Sequence, residues 1–562
     1  THSGRFTDLN ANKLRGGYYT SAKLADWLCA WAIRDSNGFV LEPSCGDGVF
    51  LEAAVDRLAI LGVKGEAIAN QLRGVEIIAT EADKTRTRLQ PRLGFRADDV
   101  VEIGDFFAWW MHLGGRQFDV VVGNPPFIRY QSFPEPHRSR AMGIMKGLGL
   151  SPNRLTNIWV PFVVAAAASL RQGGRMALVL PAELLQVSYA SQLRSFLTDR
   201  FGRIDLIACN ELFFKNAEQE IILLLADEAR GAPSKDNPCQ VTLTATETVT
   251  DVVCRPAEKI IKGTSPKTIR HDSEKWLKYF LSAGEIEFMR SLRDSEVATE
   301  LKTYALVNVG VVTGKNQFFV LNQSEIDEYG LGAHTIPLVS RSAHLKGAQI
   351  SKRDWKQLAV ADQRVHLLHL APINGSKLPR HLESYIRIGE ANNIHKGYKC
   401  SIREPWYAVP SIWIPDGFVF RQIYDFPRVV KNTAGATSTD TIHRMICKVE
   451  PQRVIANTYT HMLAASAEIE GRSYGGGVLE LEPTEAARLL MPAELASAIP
   501  LNECNRLIRK GRLDDVLYEN DRLVLMGQMG LSRRDCKILR GIWEKMRDRR
   551  LARRRNGKPS GS

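Results

Sequence analysis

At 562 residues, 44% hydrophobic and 24% charged, the chain has room for two to four domains with their own cores, which excludes a small disulfide-stapled module and a disordered or fibrous protein. A net charge of +13 favours a polyanionic partner, and twelve Lys or Arg against three acids between Arg533 and Lys558 put nine of those charges in the last stretch. Nine cysteines without a C-x-x-C pair exclude a zinc-finger arrangement and predict a reduced, cytoplasmic setting, and the longest apolar run, residues 160–170, is too short to cross a bilayer.

Helical and extended patterns alternate through the first 226 residues. A helix is predicted over residues 21–33, with Thr20 or Ser21 as its cap. Strands are predicted over residues 38–41, 71–75, 100–104, 118–122, 175–180 and 203–208, and a further helix over 157–170, which is the pattern of a doubly wound α/β domain. Residues 209–219 separate the last of these strands from another at 220–226. That interval is too short for a helical crossover, so an antiparallel hairpin is expected at the sheet edge. The polar, breaker-rich stretch 227–238 predicts a boundary. The resulting division is a first domain over residues 1–235, a connector over 236–284, an irregular aromatic and basic region over 285–530 and a basic tail over 531–562.

Three successive strand ends carry the residue types of a small-molecule site. The first runs into Glu42-Pro43-Ser44-Cys45-Gly46-Asp47-Gly48, where Ser44, Gly46 and Gly48 let the backbone approach a ligand at a helix amino terminus. The second ends at Glu76, an acid placed for the hydroxyls of a cofactor ribose. The third gives Gly104-Asp105-Phe106, a carboxylate able to accept from an adenine amino group beside a ring that can pack on the base.

The fourth strand, residues 118–122, runs through Gly123 into Asn124-Pro125-Pro126-Phe127. Successive prolines fix φ and keep the preceding residue extended, so the Asn124 amide and the Pro125 carbonyl form a rigid pair of acceptors beside an aromatic face. Such a pair suits an exocyclic amine.

Taken in order, these pieces resemble the γ-class N6-adenine DNA methyltransferases of the TaqI type. The amino-terminal motif matches at Gly17-Tyr18-Tyr19-Thr20, with Ser21 where the family has proline, and family-like stretches recur at residues 309–319, 403–407 and 471–477. The resemblance implies a class I S-adenosylmethionine-dependent fold, a Rossmann-like, mostly parallel sheet closed by an antiparallel hairpin, followed by a mixed α+β target recognition domain. It implies cofactor contacts from Thr20, Glu42, Glu76, Asp105 and Phe106, catalysis by Asn124 to Phe127, and a flipped base held between Phe127 and Phe213. In the recognition half, Arg403, Arg421, Arg428, Lys431 and Asn432 are the candidate DNA contacts. The implied partner is double-stranded DNA, methylated by a monomer beside a separate restriction endonuclease, with no metal. Asparagine as first member favours adenine over cytosine N4. RNA or protein amide acceptors, and a non-catalytic specificity subunit, are the competing readings.

Overall fold

The computed structural model describes residues 20–114, 117–209, 211, 220–233, 236–271, 274–370, 378–474 and 476–556. Tyr18, Tyr19 and Phe213 therefore lie outside the described residues. The chain divides into two compact units, one drawn chiefly from residues up to Ala283 and the other from Gly284–Ser473 and Gly477–Leu551.

In the first unit the described strands are β1 (Val40–Glu42), β2 (Leu72–Glu76), β3 (Val101–Ile103), β4 (Phe118–Gly123), β5 (Leu170–Pro181), β6 (Phe201–Cys209), β7 (Ile221–Ala229) and β8 (Gln240–Thr246). They form one sheet in the order β3-β2-β1-β4-β5-β7-β6-β8. The first five run parallel. Helices α1 (Ala22–Ala32), α2 (Val49–Ile60), α3 (Ala79–Leu93), α4 (Phe106–Met111) and α5 (Trp159–Ala168) belong to the same unit. Parallel pairing brings the carboxyl ends of β1, β2, β3 and β4 to one edge, which is where open α/β sheets bind their ligands.

The expected hairpin is present, since β6 and β7 pair antiparallel, and β7 inserts antiparallel between β5 and β6. It is not the sheet edge. β8 adds in parallel beside β6, so residues expected as a connector complete the first unit. Its Val-Thr-Leu-Thr-Ala-Thr run is β-branched enough to extend a sheet despite the breakers before it. Thr242 Oγ1 donates to Asp205 Oδ1 of β6 at 2.6 Å. Beyond β8, Val252, Ala257, Ile260 and Ile261 join the core that includes Trp27 and Leu28 of α1.

The second unit is mixed α+β. Its five-stranded sheet runs Ala305–Asn308, Ile442–Cys447, Gly417–Phe420, Val429–Thr433, Gln349–Ser351, antiparallel except for the last pair. The segment expected as a basic tail contributes a helix, Arg533–Asn556. Leu539, Ile542, Trp543 and Met546 are buried along one face. Several of its charges are neutralised at home: Arg540 pairs with Glu544 at 2.8 Å, Lys545 with Glu285 at 2.6 Å, Arg547 with Asp425 at 3.1 Å and Arg550 with Glu468 at 2.6 Å. A 3.6-residue apolar stripe inside a basic run is what turns this stretch into a packed helix.

Candidate active site

The turn after β1 is shaped by glycine backbones. Gly46 and Gly48 have φ of +53° and +85°, values that favour glycine. A Cβ on Gly46 would meet open space, whereas one on Gly48 would lie 2.5 Å from Cγ2 of Thr85 on α3. Thr85 is fully buried and its hydroxyl donates to the Gly46 carbonyl at 2.7 Å. Gly48→Ala is therefore expected to cost at least about 1–2 kcal/mol from the left-handed backbone alone, with cofactor affinity lowered in parallel, read by thermal denaturation and calorimetry.

Glu76, at the end of β2, holds that turn from the other side. Its Oε2 accepts the Gly46 amide and its Oε1 the Ile78 amide, each at 2.9 Å. Burial pushes its carboxyl up and the backbone amides hold it back. Each carboxylate oxygen has a second lone-pair direction for a ligand hydroxyl. Asp105 caps α4 by accepting the Phe107 amide at 3.2 Å and pairs with Arg140 at 3.0 Å. Phe106 is buried and stacks on Phe162 of α5, with ring centroids 5.2 Å apart and planes 12° from parallel. Glu42 is buried, and its Oε2 has no hydrogen-bond partner among the described residues.

Asn124 follows β4 directly. Its Nδ2 donates to Oγ1 of buried Thr20 at 3.3 Å. Anchored through its nitrogen, the amide has an acceptor as its remaining polar atom. Pro125 is buried and Phe127, half-buried, packs on the core of the unit. These elements enclose a cavity of about 180 Å³. Thr20, Glu42, Ser44, Gly46, Glu76, Asp105, Phe106, Asn124 and Pro126 all line it. Gly48, Pro125 and Phe127 do not; Gly48 sets the turn. Ile128, Phe133 and Phe162 complete the walls and were not singled out from sequence. Phe162 stands in an apolar helix where nothing distinguishes a cavity wall from core.

In the second unit, four of the five candidate DNA contacts use their donors internally. Arg403 donates to the carbonyls of Val312 and Thr313 at 2.7 and 2.8 Å. Arg421 reaches Glu480 at 2.7 Å and Glu482 at 3.0 Å, and Arg428 donates to the Gly347 carbonyl at 2.6 Å. Asn432 donates to the carbonyls of Pro415 and Ala436, both at 2.8 Å, while its oxygen faces the Ala434 and Ala436 amides. Irregular chain leaves carbonyls and acids that need donors, and these four supply them. The Lys431 amide donates to the Ala348 carbonyl at 2.9 Å, while its side chain makes no hydrogen bond or ion pair among the described residues and keeps its candidacy. The Arg403 bonds and the Phe318–Trp406 ring contact at 5.3 Å bring the stretches 309–319 and 403–407 together. Arg421→Ala is expected to lower stability by roughly 1–3 kcal/mol by stranding two acids, and to leave the salt dependence of DNA binding unchanged in a titration.

The residues fit S-adenosylmethionine: a glycine turn open for close approach, an acid at the end of β2, an aromatic wall beside a capped carboxylate, and an uncompensated acid for a cationic group. Fold and site define an S-adenosylmethionine-dependent methyltransferase. Two family models match, "Eco57I restriction-modification methylase" over residues 60–213 and "Type II methyltransferase M.Eco57I, C-terminal domain" over residues 273–525. Among curated relatives, Type II methyltransferase M.AccI of Acinetobacter calcoaceticus is 23% identical, with 84% of each chain covered. M.PaeR7I of Pseudomonas aeruginosa is 22% identical, covering 88% of this chain and 91% of its own. The Type IIL restriction-modification enzyme MmeI, solved in complex with DNA, shares the fold at a TM-score of 0.54 and 11% identity, covering 94% of this chain and 75% of that one. The chain belongs to the DNA methyltransferases of restriction-modification systems, and its cofactor is S-adenosylmethionine. Among the described residues no helix is long and apolar enough to cross a membrane.

Proposed function

We propose that the enzyme methylates the N6 amino group of an adenine turned out of duplex DNA, as the modification component of its system. The carrying observation is Asn124, anchored to Thr20 at 3.3 Å on the wall of the cofactor cavity and followed by two prolines. Adenine N6 is a weak nucleophile because its lone pair is delocalised into the ring. Accepting both amino hydrogens, through the Asn124 side-chain oxygen and the Pro125 carbonyl, draws the nitrogen toward tetrahedral geometry and aims its lone pair. A neutral amide does this beside an apolar base without burying a charge. When bound, the cofactor supplies an activated methyl group on a sulfonium. Glu76 would take the ribose hydroxyls, Asp105 and Phe106 the adenine, and Glu42 with Thr20 the amino-acid end. As the new N–C bond replaces the methyl–sulfur bond of the sulfonium, the amino group gives up one proton to water.

A base stacked in a duplex cannot reach this cavity, so the target must leave the helix. Phe127 is the proposed first stacking face and Phe213 the second. The second unit supplies the remaining DNA contacts, with the enzyme acting as a monomer beside a separate endonuclease. The acceptor class is tested by offering labelled cofactor to duplex DNA, to RNA of the same sequence and to cell protein. Label confined to DNA, with a rise in 2-aminopurine emission when that analogue replaces the target base, is the expected result. Label in RNA or protein would refute it.

A further inference from the structure

Five carboxylates line the cofactor cavity, and four of them are compensated. Asp47 pairs with Arg88 at 3.0 Å, Glu81 with Lys84 at 2.8 Å and Asp105 with Arg140 at 3.0 Å, while Glu76 accepts two backbone amides at 2.9 Å each. Glu42 is the exception. Its side chain belongs to a residue 1% exposed, the Leu51 amide donates to the carboxyl, and Oε2 has no partner among the described residues. No Lys, Arg or His is among the described residues lining the cavity.

Among the described residues, the titratable groups around Glu42 are acids and thiols. Asp47 lies in the same turn, Glu76 at the end of β2, Cys29 on α1 and Cys45 in the turn. Gly123 of β4 and Leu51 of α2, which also abut it, bring no charge. An ionised Glu42 would be a buried charge facing two further acids with no cation among the described residues to offset it. Burial above all, then Asp47 and Glu76, holds its carboxyl well above the usual carboxylate range. Burial likewise pushes the Cys29 and Cys45 thiols up, so neither supplies an exchangeable proton in its place.

We propose that Glu42 carries a proton in the cofactor-free enzyme and releases it to solvent when the cofactor's ammonium group enters, so that binding expels one proton. The carboxyl O–H bond breaks, its electron pair stays on the oxygen, and the ammonium N–H donates to the carboxylate so formed. The inference rests on the assignment of this cavity to S-adenosylmethionine. Because the acid is held protonated in the empty site and ionised in the occupied one, affinity falls as pH falls. Between the ordinary carboxylate range and the empty-site value, it changes by about tenfold per pH unit. The demethylated product keeps the same ammonium group, so it expels the same proton and the linkage acts at both entry and release.

The test is calorimetric titration of the full chain with S-adenosylmethionine at about pH 6.5, where an α-amino group is protonated, in buffers of different ionisation enthalpy. The expected slope corresponds to about one proton released, for cofactor and for S-adenosylhomocysteine alike, and to none with Glu42→Gln. A wild-type heat independent of buffer, or release retained by Glu42→Gln, would overturn the proposal. Should that variant fail to fold or bind, the wild-type chain decides. Its infrared difference spectrum on adding cofactor is expected to lose a protonated carboxyl band that moves on ¹³C-labelling of glutamate. A band that moves only with labelled aspartate, or no band, overturns it. Absence of any binding heat would count against the cofactor assignment and remove the proposal with it.

Discussion

Asn124→Ala is expected to lower methyl transfer to DNA by about 10²–10³-fold, the cost of removing one preorganised hydrogen-bonding group from a developing charge. Cofactor affinity should change little. The Gly46 turn, Glu76 and the Phe106 wall are positioned independently of Asn124, through bonds such as Glu76 to the Gly46 amide at 2.9 Å and Phe106 against Phe162 at 5.2 Å. Single-turnover methylation with saturating cofactor, beside calorimetric titration of cofactor, separates the two. A variant that binds DNA and cofactor yet transfers methyl at the wild-type rate would remove Asn124 from the chemistry.

Arg550→Ala is expected to carry the largest cost in stability, about 3–5 kcal/mol, because it leaves a buried acid without its counter-charge. Arg550 is 1% exposed and grips Glu468 with Nε at 3.1 Å and Nη2 at 2.6 Å. Its Nη1 donates to the carbonyls of Tyr424 at 2.9 Å and Gly477 at 2.6 Å. The helix Arg533–Asn556 is thereby tied to two irregular stretches of the second unit. Burial pushes the Glu468 carboxyl up against the opposing pull of Arg550. Pairing Arg550→Met with Glu468→Leu should recover part of the loss, since no charge is then stranded. Recovery stays incomplete because the two carbonyls lose their donor. Denaturant midpoints of Arg550→Ala and of the double variant against wild type test this. A single variant as stable as wild type would show that the helix is not held by the pair.

What could be read from the sequence follows a physical rule. In a parallel sheet the strands are short apolar runs and the chemistry follows their carboxyl ends, so Glu76, Asp105 and Asn124 could be placed from local pattern and Glu42 from the family resemblance, and the structure brings them to one cavity. Thr20 reads locally only as a possible cap, but Ser21 is the N-cap of α1 and makes no side-chain cap bond, whereas the Thr20 bond to Asn124 spans 104 residues, and no local pattern encodes such a contact. Strand β8 was missed because it follows a breaker-rich loop and pairs with a strand 37 positions earlier, as in Thr242 with Asp205. The arginines of the second unit look alike in sequence whether they face phosphate or a carbonyl. Arg421 and Arg403 are separated only by partners that folding brings up, Glu480 in one case and the Val312 and Thr313 carbonyls in the other. The basic helix shows a related limit: net charge is additive along a chain, but its effect outside depends on acids such as Glu285 and Glu468 that are distant in sequence.

The acceptor atom is tested most directly by the identity of the methylated nucleoside. Unmethylated duplex DNA is incubated with the enzyme and labelled S-adenosylmethionine, digested to nucleosides and separated. N6-methyladenine as the labelled product, absent with Asn124→Ala, is the result expected. Label in N4-methylcytosine or 5-methylcytosine would contradict the proposed chemistry, as would N6-methyladenine formed equally well by the variant.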